Sequence, residues 1–175
     1  GSKNLKAVAV RGSQRVGIAD RSRLKETLKW ITSTYQDSMK WAVDYGTSGS
    51  VKYNHDSGGL AVQNYLKGSL EGVEKLSDES FHQAMVVERD TCSGCPVRCK
   101  IVVESIQPKI DRRYGGPEYE SIGGLGVLCG INDPQMVSMA NELCAAYGLD
   151  TISTGATIAF TMECAQKGLL AEDGF

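Results

Sequence analysis

Cys92, Cys95 and Cys99 follow a C-x2-C-x3-C spacing within Asp90-Thr91-Cys92-Ser93-Gly94-Cys95-Pro96-Val97-Arg98-Cys99-Lys100, a density that packing alone does not explain. A loop opened by Gly94 and stiffened by Pro96 can turn three sulfurs toward one centre while its backbone amides remain free to hydrogen-bond them. Arg98 and Lys100 add positive charge, which favours thiolate, the form that binds metal. Three ligands require a fourth. His82 could complete a Cys3His zinc site, since structural zinc accepts mixed sulfur and nitrogen donors. An iron-sulfur cluster would take a fourth thiolate from Cys129, Cys144 or Cys164, or from beyond Phe175. The third reading is three ordinary buried thiols. Spacing alone leaves these open.

Two other places carry chemistry-bearing residues beside helix signals. Gly115-Gly116-Pro117-Glu118-Tyr119-Glu120 opens a helix with proline at N1 and carboxylates in the first turn, where Glu118 and Glu120 suit the helix dipole. The glycines at 123, 124 and 126 that follow each cost about 1 kcal/mol against alanine, a cost a helix bears when another backbone or a ligand must come close. Gly148-Leu149-Asp150 closes one helix and offers an aspartate cap to the next.

The elements that must position these residues read as predominantly helical. Residues 5–10 form a short apolar strand ending at Gly12. From Asp20 as N-cap, Leu24, Leu28, Ile31, Tyr35, Met39 and Ala42 mark one long amphipathic helix to Tyr45. Residues 46–50 and 54–59 read as loops, with His55 solvated or capping. Residues 60–66 and 81–87 read as short helices, the second capped by Ser77 or Asp78. A small hairpin is expected near 101–114, with Ile101, Val102, Val103, Ser105 and Ile106 on one arm and Ile110 and Tyr114 on the other. Asp133-Pro134 starts a helix with Met136, Ala140, Leu143 and Tyr147 as its apolar stripe up to Gly148. A last helix spans about 153–167, with Ile158, Met162 and Ala165 on one side.

Composition narrows the class. With 175 residues, 41% apolar, the chain is long enough for one real core. No apolar run reaches the ~20 residues of a membrane span, and the first residues lack signal-peptide segments, so the expected compartment is the cytoplasm. A net charge of −2 with mixed signs offers no basic face for nucleic acid and no polybasic patch for a membrane. The six cysteines, without an export signal, point to ligation or reduced thiols over a disulfide framework.

Three blocks in order, residues 1–12, the cysteine loop with Gly116-Pro117-Glu118-Tyr119-Glu120, and Asn141-Glu-Leu-Cys-Ala-Ala-Tyr-Gly-Leu-Asp-Thr-Ile-Ser-Thr-Gly155, resemble the aldehyde:ferredoxin oxidoreductases. These are tungsten, sometimes molybdenum, enzymes with a bis-pterin cofactor and a [4Fe-4S] cluster. The resemblance implies that residues 1–12 are the exit strand of a missing N-terminal pterin domain, and that 13–175 are a helical middle domain truncated on its C-terminal side. It implies Cys92, Cys95 and Cys99 as three cluster ligands, with the fourth in a missing third domain and Cys129, Cys144 and Cys164 as core thiols. Gly148, Leu149 and Asp150 match the second half of the family's D-x-x-G-L-D pterin motif; Ala145 stands where its first aspartate would be. Glu120 matches a carboxylate that the family places near the metal, where it can hold water or pass a proton.

The activity implied is oxidation of an aldehyde to a carboxylic acid with ferredoxin as electron acceptor, carried out by the complete protein and not by this stretch alone. Its partners would be the aldehyde, ferredoxin, the remaining domains and, for some members, further copies of the chain. A relative acting on another substrate, such as an aromatic acyl-thioester, is the alternative within the family. A zinc-stabilised helical interaction module using His82 is the alternative outside it.

Overall fold

Asp20 starts the first helix as an N-cap should, accepting the amide hydrogen of Arg23 at 2.9 Å, and α1 runs Arg21–Ser38. The computed structural model describes residues 4, 5 and 7–170, and the chain divides between Thr34 and Tyr35 into two units. In the first, the expected strand over 5–10 does not form among the described residues, and Leu5, Val8 and Val10 are exposed. With no partner strand, the N–H and C=O groups there have nothing to gain from a ladder, and water serves them as well. Helix α1 buries none of its residues. Its hydroxyls at Thr27, Thr32, Ser33 and Thr34 bond back to carbonyls one turn earlier, a habit that weakens helices, and the expected single helix is interrupted at Met39 (φ −119°) before α2, Lys40–Tyr45.

The second unit holds the cores. After α2, a 3-10 turn at Thr47–Gly49 leads into α3, Ser50–Asp56, which takes in parts of both segments expected to be loop, 46–50 and 54–59. Residues 60–66, expected to be helical, instead form a turn closed by a Val62–Lys67 bridge, with Gln63, Asn64 and Tyr65 all left-handed. Tertiary bonding explains this: the Gln63 and Asn64 amides donate to the Val127 and Leu128 carbonyls at 3.2 and 3.0 Å. Helix α4, Asp78–Met85, has Ser77 at its N-cap position and stops where β1, Val86–Asp90, begins. Strand β1 pairs antiparallel with β2, Lys100–Val103, in the register Val86 to Val103, Glu88 to Val102, Arg89 to Ile101 and Asp90 to Lys100, with a bulge between Val86 and Glu88. The hairpin therefore lies earlier than expected. Its connection is the cysteine loop itself, and of the expected second arm only a Ser105–Ile110 bridge and a 3-10 turn at Arg112–Tyr114 are present.

Helix α5, Tyr119–Ile122, continues into a π-helical segment, Gly123–Val127. Then come α6, Pro134–Tyr147, and α7, Thr151–Gln166. Among the described residues the fold is mainly α with one two-stranded hairpin. Val51, Val62, Leu76, Ile122, Val127 and Val137 form the larger core; Phe81, Met85, Ile101, Val103 and Ile110 form a second beneath the hairpin. The expected stripe of α6 faces outward: Met136, Leu143 and Tyr147 are exposed, while Val137, Asn141 and Cys144 are buried. On α7 it is Gly155 and Ala159 that are buried, and Ile158 and Met162 are exposed.

The glycines answer to packing. A Cβ on Gly155 would stand 2.2 Å from the Gly124 carbonyl carbon, so α7 crosses the α5 extension backbone to backbone, whereas a Cβ on Gly123 would meet nothing within 4 Å. Gly155→Ala should therefore destabilise the protein by about 1–3 kcal/mol despite alanine's better helix propensity. Gly123→Ala should stabilise it by up to about 1 kcal/mol. Thermal unfolding of the two variants checks this; equal shifts would contradict the close crossing.

Candidate metal centre and the adjoining helix ends

The cysteine loop is built from the hairpin upward. Its outer part is a β-turn in which the Cys95 amide donates to the Cys92 carbonyl at 3.1 Å, with Gly94 at φ +73° as a type II turn requires. The Thr91 hydroxyl bonds the Cys95 carbonyl at 2.8 Å and the Thr91 amide takes Asp90 Oδ1 at 2.7 Å, so the turn is tied down to the end of β1. Cys92 is exposed, and Cys95 and Cys99 are partly buried. Among the described residues, no three His, Cys, Asp or Glu side chains are gathered closely enough to hold a metal ion. The loop presents three thiols from one short segment without closing them on a centre.

The inner end of the loop is held by Arg89, which sequence reading overlooked. Its Nε and Nη2 donate to the Arg98 carbonyl at 3.1 and 3.0 Å; Nη2 also reaches the Ala42 and Val43 carbonyls, and Nη1 the Asp44 carbonyl, each at 2.9 Å. Arg98 returns a bond from Nη2 to the Arg89 carbonyl at 2.9 Å. Next to these, Gly46 lies under the loop: at φ +69°, an added Cβ would come within 2.5 Å of the Cys99 carbonyl oxygen. Only glycine serves there on both counts. The Cys99 thiol is pushed up from its ordinary value by burial first, then by the Glu118 carboxylate and the neighbouring Cys95 and Cys92.

His82 is engaged elsewhere. Its Nε2 lies 2.7 Å from the Tyr45 carbonyl and its ring stands edge-on to that of Tyr45, which ties α4 to the end of α2. Cys129 and Cys144 are buried away from solvent and Cys164 is partly buried; Cys129 bonds the Gly124 and Gly155 carbonyls at the glycine crossing.

From the corner under the loop, Thr47 reaches the start of α5. Its hydroxyl accepts from the Tyr119 amide at 2.9 Å and donates to the Glu118 carboxylate. This places Glu118, in extended conformation, at the N-cap and leaves Pro117 buried ahead of it, so the helix begins two residues later than proline at N1 implies. Glu118 is thus partly buried and bound, which is more than dipole pairing, while Glu120 is exposed in the first turn. A cleft of about 360 Å³ opens between the hairpin base and this segment, lined among others by Asp90, Lys100, Tyr114 and Glu118.

The third candidate lies beside the second. Gly148, left-handed at φ +67°, closes α6, with the Leu149 amide on the Cys144 carbonyl at 2.8 Å. Asp150 caps α7, accepting the Ser153 amide at 2.7 Å. The Ser121 and Thr151 hydroxyls bond at 2.8 Å, so the residues just before them, Glu120 and Asp150, stand at neighbouring helix starts. Gly148, Leu149 and Asp150 are all exposed. The chain thereby brings Glu120 and the 148–150 turn together, and links both through Thr47 and the 42–48 corner to the cysteine loop.

A family model described as aldehyde ferredoxin oxidoreductase, domains 2 and 3, matches residues 25–175. The chain belongs to the aldehyde ferredoxin oxidoreductase family. It is 36% identical to the tungsten-containing aldehyde ferredoxin oxidoreductase of Thermococcus kodakarensis, over 99% of this chain and 29% of that protein. To the enzyme of the same description from Pyrococcus furiosus it is 35% identical, over 99% of this chain and 29% of that protein. It also resembles the WOR-like subunit of aliphatic sulfonate oxidoreductase from Pyrococcus furiosus, at 29% identity over 99% of this chain and 28% of that protein. The chain spans less than a third of the length of these relatives. No helix among the described residues is long and apolar enough to cross a membrane.

The Asp150 cap carries a pH signature. Hydrogen bonds from Ser153 hold its carboxyl below the ordinary value of 3.8. A group depressed in the folded state stabilises it above the unfolded value and loses that contribution as pH falls through the folded value. In Asp150→Asn, which caps without a charge, the stability deficit against the parent should be present at pH 6 and shrink below about pH 3.8. Thermal melts at low ionic strength test this, and a deficit independent of pH would contradict it.

Proposed function

We propose that the complete protein oxidises aldehydes to carboxylic acids and passes the electrons to ferredoxin. The balance is one aldehyde and one water giving one carboxylic acid, two protons and two electrons. A tungsten or molybdenum bis-pterin would supply the two-electron chemistry when bound, and a [4Fe-4S] cluster would carry electrons out one at a time. The observation that carries this reading is the convergence just described: an all-thiol loop, an exposed carboxylate and the 148–150 turn, joined through one corner of one unit, in a chain of this family.

Cys92, Cys95 and Cys99 would hold three irons of the cluster, with a fourth thiolate from outside residues 1–175. The donor set suits that group, being sulfur only, and its exposed Cys92 leaves the loop open to a ligand from elsewhere. The tie of His82 to Tyr45 weighs against the Cys3His zinc alternative. The turn at 148–150 would orient the pterin, Asp150 sharing its carboxylate between the α7 cap and ring amines. Glu120 would hold the water or take a proton as the acid forms. Residues 13–175 would be the helical middle domain, and the exposed Leu143 and Tyr147 of α6 and Phe160 and Met162 of α7 would be covered by the remainder of the protein. Residues 1–175 by themselves would turn over no aldehyde.

The relative described as a subunit of aliphatic sulfonate oxidoreductase keeps a second substrate class in view, at lower identity. The test is turnover by the complete, anaerobically purified protein with a viologen acceptor, offering aldehydes and aliphatic sulfonates in parallel. Aldehyde-dependent reduction is expected; reduction by sulfonates alone would replace the substrate assignment. In the same assay Glu120→Gln should keep its tungsten and iron and lose a factor of about 10²–10⁴ in kcat. Parental kcat at normal metal content would make Glu120 a capping residue.

A further inference from the structure

The guanidinium of Arg89 spends its donors on backbone carbonyls alone: three at the C-terminal end of α2 and one in the cysteine loop. An α-helix ends in carbonyls that lack intrahelical partners and carry partial negative charge, so a partly buried cation is well placed at those of Val43 and Asp44 and beside that of Ala42, which also accepts the Gly46 amide. The fourth carbonyl is the informative one. Arg98 stands at φ +55°, a left-handed conformation that costs a non-glycine residue free energy, and its carbonyl belongs to the peptide that enters Cys99. Arg89 grips that peptide with Nε and Nη2. The next peptide, leaving Cys99, is seated on Gly46, where no Cβ fits beside the Cys99 oxygen. Cys99 is therefore clamped on both sides, whereas Cys92 at the other end of the loop is exposed. The clamp also leaves the guanidinium charge bonded at the peptide that enters Cys99.

We propose that Arg89 is the positioning residue of the cluster loop: it fixes Cys99 on the end of α2 in advance of metal and places a charge beside it that raises the reduction potential of the cluster held there. This rests on the reading of Cys92, Cys95 and Cys99 as cluster ligands. Reduction adds one electron to the cluster, and the guanidinium favours the more negative, reduced form. Lysine keeps the charge but lacks the planar fork that bridges α2 and the Arg98 carbonyl; glutamine lacks both.

The experiment uses the complete protein and its Arg89→Lys, Arg89→Gln and Cys99→Ser variants. In iron-free protein, amide hydrogen exchange over residues 92–99 should rise about tenfold or more in both Arg89 variants, with exchange in α6 and α7 unchanged. In iron-loaded protein, dithionite titration followed by electron paramagnetic resonance should show a lower cluster potential in Arg89→Gln. A tenfold shift of that one-electron equilibrium is about 59 mV. Arg89→Lys should stay nearer the parental potential. Parental exchange in Arg89→Lys overturns the clamp, and a parental potential in Arg89→Gln overturns the charge effect. Full iron content in Cys99→Ser would instead defeat the ligand reading, while the exchange measurement on iron-free protein still decides the clamp.

Discussion

The carbonyl end of α2 is the constraint on which the rest of the site depends. A six-residue helix has more orphan acceptors than its own turns can satisfy, and here they are met from three directions: Arg89 from β1, His82 from α4, and Ser48 from the following 3-10 turn. Leaving such groups unpaired and partly buried would cost about 1–3 kcal/mol each. Because Arg89 is paired with Ile101 in the hairpin, meeting that requirement fixes the cysteine loop above the corner. Because Thr47 is the next residue but one after Tyr45, it also fixes the start of α5. The cysteine loop and the candidate carboxylate are thus located by one short stretch of backbone.

A second constraint joins the carboxylate to the 148–150 turn. The α5 helix with its π-helical extension and α7 cross where Gly124 meets Gly155, too close for any side chain, and the Ser121 and Thr151 hydroxyls bond at their starts. Of the three glycines, Gly124 meets the backbone of α7, Gly126 packs against Val137 and Leu76, and Gly123 faces open space. The helix bears its propensity cost where the crossing brings the starts of α5 and α7 side by side.

How much of this was legible in the sequence follows from the range of the forces involved. Caps are local, so Asp20, Asp133, Asp150 and Gly148 mark helix ends where the structure has them. The spacing of the cysteines is local too. Faces are less legible: α6 carries apolar residues all round, and the pattern Met136, Leu143, Tyr147 was as good a stripe as Val137, Asn141, Cys144, which the core selects. Residues 60–66 looked helical because their commitment to the Val127 and Leu128 carbonyls is invisible in a window of seven residues. Arg89 could not have been found at all. Its partners on α2 lie 45 to 47 positions earlier in the chain, and nothing about an arginine in a short strand announces them.

The account places an electron-carrying cluster on a loop whose anchored end is Cys99 and whose exposed end is Cys92, with the oxidising site at the paired starts of α5 and α7. Electrons and protons would then leave by different routes from one corner of the fold. The most direct measurement is Mössbauer spectroscopy of the complete protein grown on ⁵⁷Fe, compared with its Cys95→Ser variant. The account predicts the signature of a [4Fe-4S] cluster in the parent and its loss in the variant. A parent that carries zinc at the cysteines and no iron, or a cluster that survives Cys95→Ser unchanged, would contradict it.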